Sequence, residues 1–393
     1  MAVEPTVLDL FCGAGGLSCG LEMTGFRVVG GVEADARACQ TFLDNHPRAD
    51  AFRGPVDVRE LTARTVWDAT GLEPGGLDVL VGGPPCQGFS MAGYRRTDDA
   101  RNALVFEFSR LLDELAPAAF VMENVVGLAS MTVDGRTKIL RVLADEFDRL
   151  GYSTNIPEDE ADWGSLIVDA ADMGVPQHRR RVLILGARAG RDVPVFPGRT
   201  HAEAATSHRD SSLEPHVTVR EALFGLPAPS FEESVPVAAA ARGSSFAHLI
   251  RSPEGITFNH APTRHAPWMV ERMASQPRGT ALYDTWAHAW YRLVPEEPAP
   301  TVKENHNAPF VHPDEPRVVT PRECARLQSF PDGFRFCGPK SRVLVQIGNA
   351  VPPLLGRRIG AALMASLRPR SPSVSDGRRP RRRHAVQRAL LGP

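Results

Sequence analysis

Short apolar runs alternate with longer amphipathic segments through the first half of the chain. Apolar residues recur every three or four positions over 104–115 and 139–150, which predicts helices with one buried face. A weak strand is also expected just before Asp57, and 165–170 is strand-like. Runs with the length and composition of buried strands occupy 6–11, 26–32, 77–81, 118–122 and 182–186. This alternation predicts an α/β fold with a doubly wound, mostly parallel sheet over residues 1–188.

The pattern changes after residue 188. Clear periodicity is absent over 189–317, and this segment holds Trp268, Trp286 and Trp290 among scattered arginines. Aromatic and basic residues on irregular loops are typical of a surface that contacts a polymer ligand. The alternative is a small domain that uses its tryptophans in its core. Either way, we expect a smaller, irregular second domain.

Regular structure is expected to return over 318–367. Thr320, Pro321 and Glu323 have the spacing of a capping box with proline at the first helical position, so a helix should begin there. A last helix is predicted to run to about residue 367. Residues 368–393 contain eight arginines and one acidic residue, a composition typical of a disordered basic tail.

Composition narrows the class of protein. The 393 residues carry a formal net charge of −1, which excludes a uniformly basic surface but permits a local basic cleft. No apolar run is long enough to span a bilayer and no signal pattern opens the chain, so we expect a cytoplasmic protein without a membrane partner. The six cysteines form no C-x-x-C pair, so neither a metal site nor a disulfide scaffold is expected.

A glycine turn follows the first predicted strand. Gly13, Gly15 and Gly16 lie between this strand and a predicted helix, and Glu33 ends the next strand. Strand, glycine turn, helix and a following acid are the opening of a nucleotide-binding α/β unit. Asp57 could meet an adenine amino group, although a helix N-cap or a surface carboxylate is the alternative.

Reactive side chains follow two later strands. Cys86 comes directly after Pro84 and Pro85, which stiffen the backbone that presents its thiol. A buried cysteine on a tight turn is the alternative. Glu123 ends the next strand, and strand alternation would point Arg179 and Arg181 to the same side. A thiol, a carboxylate and two arginines could attack an electron-poor ring and stabilise the charge that develops.

Nine pieces of the chain together resemble the DNA (cytosine-5)-methyltransferase family. The order and spacing of these pieces match over 6 to about 190 and about 300 to 365. They are DLFCGAGGLS at 9–18, Glu33, Asp57, GGPPCQGFS at 82–90, ARNALVFEF at 100–108, ENV at 123–125, GVPQHRRR at 174–181, TPRECARLQSFPDGF at 320–334 and QIGNAVPP at 346–353. The resemblance implies a Rossmann-like methyltransferase fold that uses S-adenosylmethionine.

The resemblance also implies the residues that would hold this cofactor. Glu33 would bind the ribose, Asp57 the adenine amino group, and Phe11 would lie against the adenine. The remaining contacts are expected from the turn, from the start of the Cys86 segment, and from two later segments of the chain. These residues are Asp9, Gly13, Gly15, Gly16, Pro84, Leu104, Asn349 and Val351.

For the reaction, the resemblance implies that Cys86 adds to C6 of a flipped-out cytosine. Glu123 would bond N3 and the exocyclic amine, Arg179 would contact O2, and Arg181 would position Cys86 or Glu123. Residues 189–317 would be the target-recognition domain, and 87–102 a lid on the flipped base. Further DNA contacts are expected from Gln87, Ser90, Arg95 and Arg101.

We therefore expect a monomeric modification methyltransferase that forms 5-methylcytosine in a short duplex DNA sequence, as part of a restriction-modification system with a cognate endonuclease. The tRNA-methylating branch shares the same motifs and is the nearest alternative. A non-catalytic DNA-binding regulator on the same fold would have no use for Cys86 and Glu123. A nicotinamide-dependent oxidoreductase would leave the cysteine and arginine motifs without a role.

Overall fold

The computed structural model of the chain describes residues 4–85, 103–133, 135–237, 245–283, 290–303 and 310–367. A central sheet has the strand order β2-β1-β3-β4-β7-β5, and β6 also pairs with β7. These strands are β1 Thr6–Leu10, β2 Arg27–Val32, β3 Val79–Gly82, β4 Ala119–Val125, β5 Tyr152–Thr154, β6 Ile167–Asp169 and β7 Arg180–Arg188. Strands β1 to β4 are parallel, whereas β7 runs antiparallel to its neighbours. The α/β fold class is confirmed.

Helices cover both faces of this sheet. Alternate strand residues enter two separate cores, because successive side chains of a strand point to opposite faces. Val7 and Val81 join the core of α1 and α12, whereas Leu8 and Leu80 join that of α4 and α5. The helices of this part of the fold are α1 Gly16–Glu22, α2 Ala36–Asn45, α3 Ala63–Thr70, α4 Ala103–Leu115 and α5 Ile139–Arg149. The doubly wound arrangement follows from this alternation.

Two details of the strand prediction are wrong. No strand precedes Asp57, which instead caps a 3₁₀ helix, Val58–Glu60, by accepting a hydrogen bond from the Arg59 backbone N–H. Of the strand-like stretch 165–170, only β6 is extended. Residues 165 and 166 of the stretch end the 3₁₀ helix Glu160–Leu166, and residue 170 begins another 3₁₀ helix, Ala170–Met173. A further 3₁₀ helix, Val126–Ser130, follows β4 directly.

Residues 189–317 form short elements, most of them two to five residues long. Paired strands form three two-stranded sheets in this region, β8 with β9, β10 with β11 and β12 with β13. Their bounds, with those of the intervening helices, are β8 His201–Ala202, α6 Ala204–Ser207, β9 Glu214–Pro215, α7 Val219–Leu223, β10 Ser234–Pro236, α8 Ser245–Leu249, β11 Ile256–Phe258, α9 Pro267–Ser275, β12 Tyr291–Arg292 and β13 Phe310–Val311. The boundaries 189 and 317 remain a prediction, as does the separate character of the domain.

Three helices close the described chain, α10 Pro321–Leu327, α11 Lys340–Asn349 and α12 Pro353–Leu367. The predicted capping box of α10 is confirmed, with both reciprocal bonds between Thr320 and Glu323 present. Helix α12 packs along α1 at the start of the fold. In the part of the chain that the structure describes, no helix is both long and apolar enough to cross a bilayer.

Candidate active site

The glycine turn after β1 has a left-handed backbone at three positions. Phe11, Gly13 and Gly15 have φ values of 56°, 55° and 91°. A Cβ at Gly13 would meet no atom within 4 Å, so the outer side of the turn is open. Phe11 carries a side chain in a conformation that such residues rarely adopt, which marks it as strained. The turn is therefore a tightly wound backbone with room for a ligand.

Two buried contacts fix the turn from the inner side. The Ser18 hydroxyl donates to Asp9 Oδ2 at 2.7 Å, which connects β1 to α1 beneath the turn. The buried His46 ring lies 3.2 Å from the Gly15 carbonyl through Nε2 and 2.8 Å from Glu22 through Nδ1. Burial raises the pKa of Asp9 to about 7, although the Ser18 hydrogen bond opposes that shift. The turn thus rests on a carboxyl that titrates near neutral pH.

Glu33 lies at the next strand end and faces the same turn. Its Oε2 accepts the Gly13 N–H at 3.0 Å and its Oε1 accepts the Asp35 N–H at 2.8 Å. Burial raises the pKa of Glu33 against these backbone bonds. The carbonyl of Glu33 also accepts the Val56 N–H, so the two acids predicted to bind a nucleotide lie on directly connected segments.

Asp57 pairs with Arg59 in the described chain. The Arg59 Nε donates to both carboxylate oxygens at 2.9 and 3.1 Å, and this pairing lowers the pKa of Asp57 to about 2. Phe11 and Leu104 are half-buried and pack against one core together with Val56, beside Asp57. Asp57 is thus a carboxylate of lowered pKa, adjacent in sequence to Val56, which packs on the same core as Phe11 and Leu104.

The C-terminal segment reaches the glycine turn. A Cβ on Gly16 would lie 2.2 Å from the Val351 carbonyl, so the two backbones are in direct contact. Asn349, the last residue of α11, is exposed, and Val351 is buried. The predicted return of this segment to the cofactor residues thus has a physical basis in glycine at position 16.

Glu123 lies inside β4 rather than after it, near the carboxyl end of the strand. Antiparallel pairing places Val125 opposite Arg181 of β7, and Arg181 Nε lies 2.8 Å from Glu123 Oε1. A Cβ on Gly83 would be 3.2 Å from Glu123 Oε2, and Asn124 Nδ2 donates to the Pro84 carbonyl at 3.0 Å. The segment that leads to Cys86 is therefore anchored on the end of β4.

Several predicted residues lie outside the described part of the chain. They are Cys86, Gln87, Ser90, Arg95 and Arg101, so the predicted nucleophile, its lid and the arginines of that lid remain predictions. The same applies to the basic tail. Across the described ranges, no group of His, Cys, Asp or Glu has an arrangement that could hold a metal ion.

Arg179 has surroundings that differ from the expected base contact. Its side chain is only 1% exposed, and its Nη1 and Nη2 donate to the carbonyls of Val302 and Gly348 at 3.1 and 2.9 Å. Its buried Nε has no partner among the described residues. Burial lowers the pKa of Arg179, and the charge of Arg181 adds to that effect. The expected O2 contact would have to come from the remaining N–H groups of a guanidinium that is buried and already fixed by two backbone carbonyls.

Gln177 was missed as a functional candidate. It is fully buried, and its amide contacts Val302 through Oε1 and the end of α10 through Nε2. Its position within the arginine motif was the only sequence signal, because an amide buried in a glycine- and proline-rich stretch has no periodic pattern. The structure makes Gln177 a junction between distant segments.

Comparison with known proteins shows the family of this chain. The chain matches the model of the C-5 cytosine-specific DNA methylase family over residues 5–365. It is 35% identical to Type II methyltransferase M.XorII of Xanthomonas oryzae pv. oryzae and 31% identical to M.DdeI of Desulfomicrobium norvegicum. These alignments cover 94% and 90% of this chain, and 87% of each relative.

Solved structures give the same picture. A proposed DNA modification methyltransferase encoded within an E. coli prophage superimposes with a TM-score of 0.74 at 31% identity, covering 93% of this chain and 99% of that one. The Dnmt2 methyltransferase of S. pombe, at 16% identity and a TM-score of 0.57, shares the fold, with coverage of 92% and 99%.

The glycine turn and the Glu123–Arg181 pair lie at strand ends of an α/β sheet, the edge at which such sheets bind ligands. The chain belongs to the C-5 cytosine-specific DNA methylase family, and it is a DNA (cytosine-5)-methyltransferase. This family uses S-adenosylmethionine.

Proposed function

We propose that the enzyme transfers a methyl group from S-adenosylmethionine to C5 of a flipped-out cytosine in a specific duplex DNA sequence, through a covalent bond between Cys86 and C6. The observation that carries this proposal is the Arg181–Glu123 pair, held beside Gly83 and Pro84 where the chain leads to Cys86. A cytosine inside a duplex cannot present C6 to a thiol, so the base has to leave the stack.

The residues around the glycine turn fit the cofactor. The open side of Gly13 admits a close approach, Glu33 has acceptor capacity left for ribose hydroxyls, and Phe11 and Leu104 offer apolar surface for adenine. Asp57 is ionised and can accept from the adenine amino group. Bound there, S-adenosylmethionine would supply an electrophilic methyl group through cleavage of its methyl–sulfur bond, and S-adenosylhomocysteine would be the leaving group. Asp9, Gly15, Gly16, Pro84, Asn349 and Val351 shape or border this site.

The chain's own side chains account for the activation of cytosine. The Cys86 thiolate forms a bond to C6, and the electron pair of the C5–C6 double bond becomes available at C5 for the new carbon–carbon bond. A proton shared between Glu123 and N3 limits the negative charge on the ring, and the exocyclic amine donates to the same carboxyl group. Loss of the C5 proton to solvent then restores the double bond as the thiolate leaves C6.

We assign the O2 contact to Arg181 in preference to Arg179. The Arg181 side chain is 14% exposed and lies against Glu123, so its remaining donors are near the expected position of the base. Arg179 has committed both terminal nitrogens to backbone carbonyls inside the protein. In this arrangement Arg181 both holds Glu123 and donates to O2. Arg179 lies farther inside the protein and binds the backbone of Val302 and Gly348.

The relatives' description as Type II methyltransferases supports a role in a restriction-modification system, in which a cognate endonuclease would cleave the same sequence when it is unmethylated. DNA from a host expressing this chain should then resist cleavage at that sequence. Cleavage of fully methylated sites by an endonuclease encoded beside this chain would contradict that pairing.

Bisulfite sequencing of DNA from a host without other cytosine methylation tests the main proposal. We expect protected cytosines at one short sequence, and none with Cys86→Ser, which should still bind S-adenosylhomocysteine. Methyl transfer by Cys86→Ser at the wild-type rate would overturn the covalent step. Parallel assays with duplex DNA and tRNA distinguish the two substrates, and we expect transfer to DNA.

A further inference from the structure

The backbone of Val302 is held at both polar groups by side chains of the arginine motif. Its N–H donates to Gln177 Oε1 at 2.8 Å, and its carbonyl accepts from Arg179 Nη1 at 3.1 Å. Val302 lies near the end of the predicted target-recognition domain. Ala299, just before it, donates its N–H to the Pro176 carbonyl and accepts from the His178 N–H. The recognition segment is thus attached to the strand that carries Arg181.

The same side chains continue to the end of α11. Arg179 Nη2 donates to the Gly348 carbonyl at 2.9 Å. Gln177 Nε2 donates to Gln328 Oε1 at 3.0 Å, and Gln328 Nε2 donates to the Ile347 carbonyl at 2.7 Å. The last carbonyls of a helix have no partner within the helix, so these bonds fix where α11 ends. We call Gln177, Arg179 and Gln328 the polar bracket.

The far end of the polar bracket borders the cofactor residues. Gly348 and Asn349 are adjacent, and Val351 follows with its carbonyl against Gly16 of the glycine turn. A continuous chain of contacts therefore connects Val302 in the recognition region with the turn. The same contacts reach the Arg181–Glu123 pair through the short strand segment from Arg179 to Arg181.

Burial of the polar bracket costs folding free energy. Gln177 and Gln328 are fully buried, and the Arg179 guanidinium is buried with no hydrogen-bonded carboxylate among the described residues. Burying a cation on neutral carbonyls costs free energy that apolar packing would not, and the unpartnered Nε adds to it. The polar bracket is better explained by what its hydrogen bonds position, which is the backbone of Val302 and the end of α11.

We propose that Gln177, Arg179 and Gln328 are positioning residues that couple DNA binding by the recognition region to cofactor binding at the glycine turn. DNA that orders the segment ending at Val302 also orders the end of α11, and so lowers the cost of holding the cofactor beside Asn349 and Val351. Linkage requires the converse as well, so bound cofactor strengthens DNA binding by the same factor. This inference rests on the proposed function.

Arg179→Lys tests the coupling, because lysine keeps the charge but cannot reach two carbonyls at once. The affinity for S-adenosylhomocysteine is measured by calorimetry with and without a saturating duplex that carries the sequence mapped by bisulfite. For the wild type we expect DNA to increase this affinity about 5- to 150-fold. In Arg179→Lys the ratio should fall close to one.

Arg322→Lys is the matched control. Arg322 is also fully buried and donates to three backbone carbonyls, those of Phe258, Pro331 and Phe334, but it has no bond to β7 or α11. The Arg322→Lys variant should have lower thermal stability, as Arg179→Lys does. Its ratio of S-adenosylhomocysteine affinities with and without DNA should equal that of the wild type. Equal loss of the ratio in both variants would overturn the proposal, because general loosening would then explain it.

A second variant guards against failure of Arg179→Lys to fold. Gln328→Ala removes the bond to Ile347 without a change of charge, and it should also reduce the ratio by at least fivefold. An unchanged ratio in a folded bracket variant, or no effect of DNA in the wild type, would contradict the coupling. Failure of the proposed function is distinguishable, since the wild type would then transfer no methyl group to DNA at all.

Discussion

The guanidinium of Arg181 lies against the carboxylate of Glu123, with Nε 2.8 Å from Oε1. The two residues come from antiparallel strands, β7 and β4, and both side chains are mostly buried. The bond to Arg181 occupies Oε1 and so fixes the orientation of the Glu123 carboxyl group. A change at Arg181 should therefore disturb the position of Glu123.

Arg181→Lys should lower kcat about 100- to 1,000-fold, since one positioned donor at developing charge is typically worth that much. The KM for S-adenosylmethionine should change little, because the cofactor residues are not in contact with Arg181. Arg180→Lys is the control, since Arg180 is exposed on the other side of the same strand. Steady-state methyl transfer to duplex DNA measures both, and equal rates for the two variants would contradict the assignment.

Asp9→Asn should make the stability of the enzyme less dependent on pH. The pKa of Asp9 is raised to about 7 from 3.8, so the folded state holds a proton that the unfolded state releases. Wild-type stability therefore falls as pH rises from about 4 to 7, and Asn abolishes this loss. The advantage of the variant should be about 2 to 3 kcal/mol larger at pH 8 than at pH 5.

Denaturant unfolding at the two pH values measures this difference. Asp68→Asn, at an exposed helix position, is the control and should show no such dependence. An Asp9→Asn advantage that is the same at pH 5 and pH 8 would mean that Asp9 is ionised throughout.

Gly16→Ala should weaken both stability and cofactor binding. The added methyl would lie 2.2 Å from the Val351 carbonyl, a backbone atom, so one of the two segments must move. Overpacking of this kind typically costs about 1 to 3 kcal/mol. Gly54→Ala is the control, because a Cβ there meets nothing within 4 Å. Thermal unfolding with and without S-adenosylhomocysteine measures both stability and cofactor binding. Equal melting temperatures for the two variants under both conditions would contradict the prediction.

Asp57→Ala should raise the KM for S-adenosylmethionine about 10- to 100-fold and leave the KM for DNA unchanged. A hydrogen bond to a charged group is worth about 1.5 to 3 kcal/mol, which sets this range. Asp50→Ala is the control, since Asp50 is also an exposed aspartate paired with a nearby arginine, Arg53. If both variants raise the KM equally, Asp57 is a surface carboxylate and not an adenine contact.

The sheet and most of its helices could be predicted because the sequence patterns that specify them lie within each element. Apolar runs and amphipathic periodicity mark β1, β2, α4 and α5, and the capping box marks the start of α10. Helix α11 was not predicted as such, since Pro339 precedes it and no side chain caps it. The prediction of a strand before Asp57 was wrong, because Val56 makes one backbone bond to Glu33 and the stretch does not join the sheet.

The surroundings of Arg179 could not be predicted from local pattern. Its two acceptors lie 123 and 169 positions later in the chain, and nothing in the motif indicates which backbone carbonyls will meet it. The same holds for Gln177, whose acceptor on α10 lies 150 positions later. Sequence placed both arginines in the site, and only long-range packing separated the one beside Glu123 from the one behind it.

The contact between Gly16 and Val351 has a consequence for synthesis of the chain. The glycine turn is synthesised well before the segment that closes against it, because Val351 lies in the last part of the described chain. A nascent chain can form β1 to β4 early, yet it has no complete cofactor site until α12 has packed on α1. Chains that end before α12 would therefore lack activity even when their recognition region is intact.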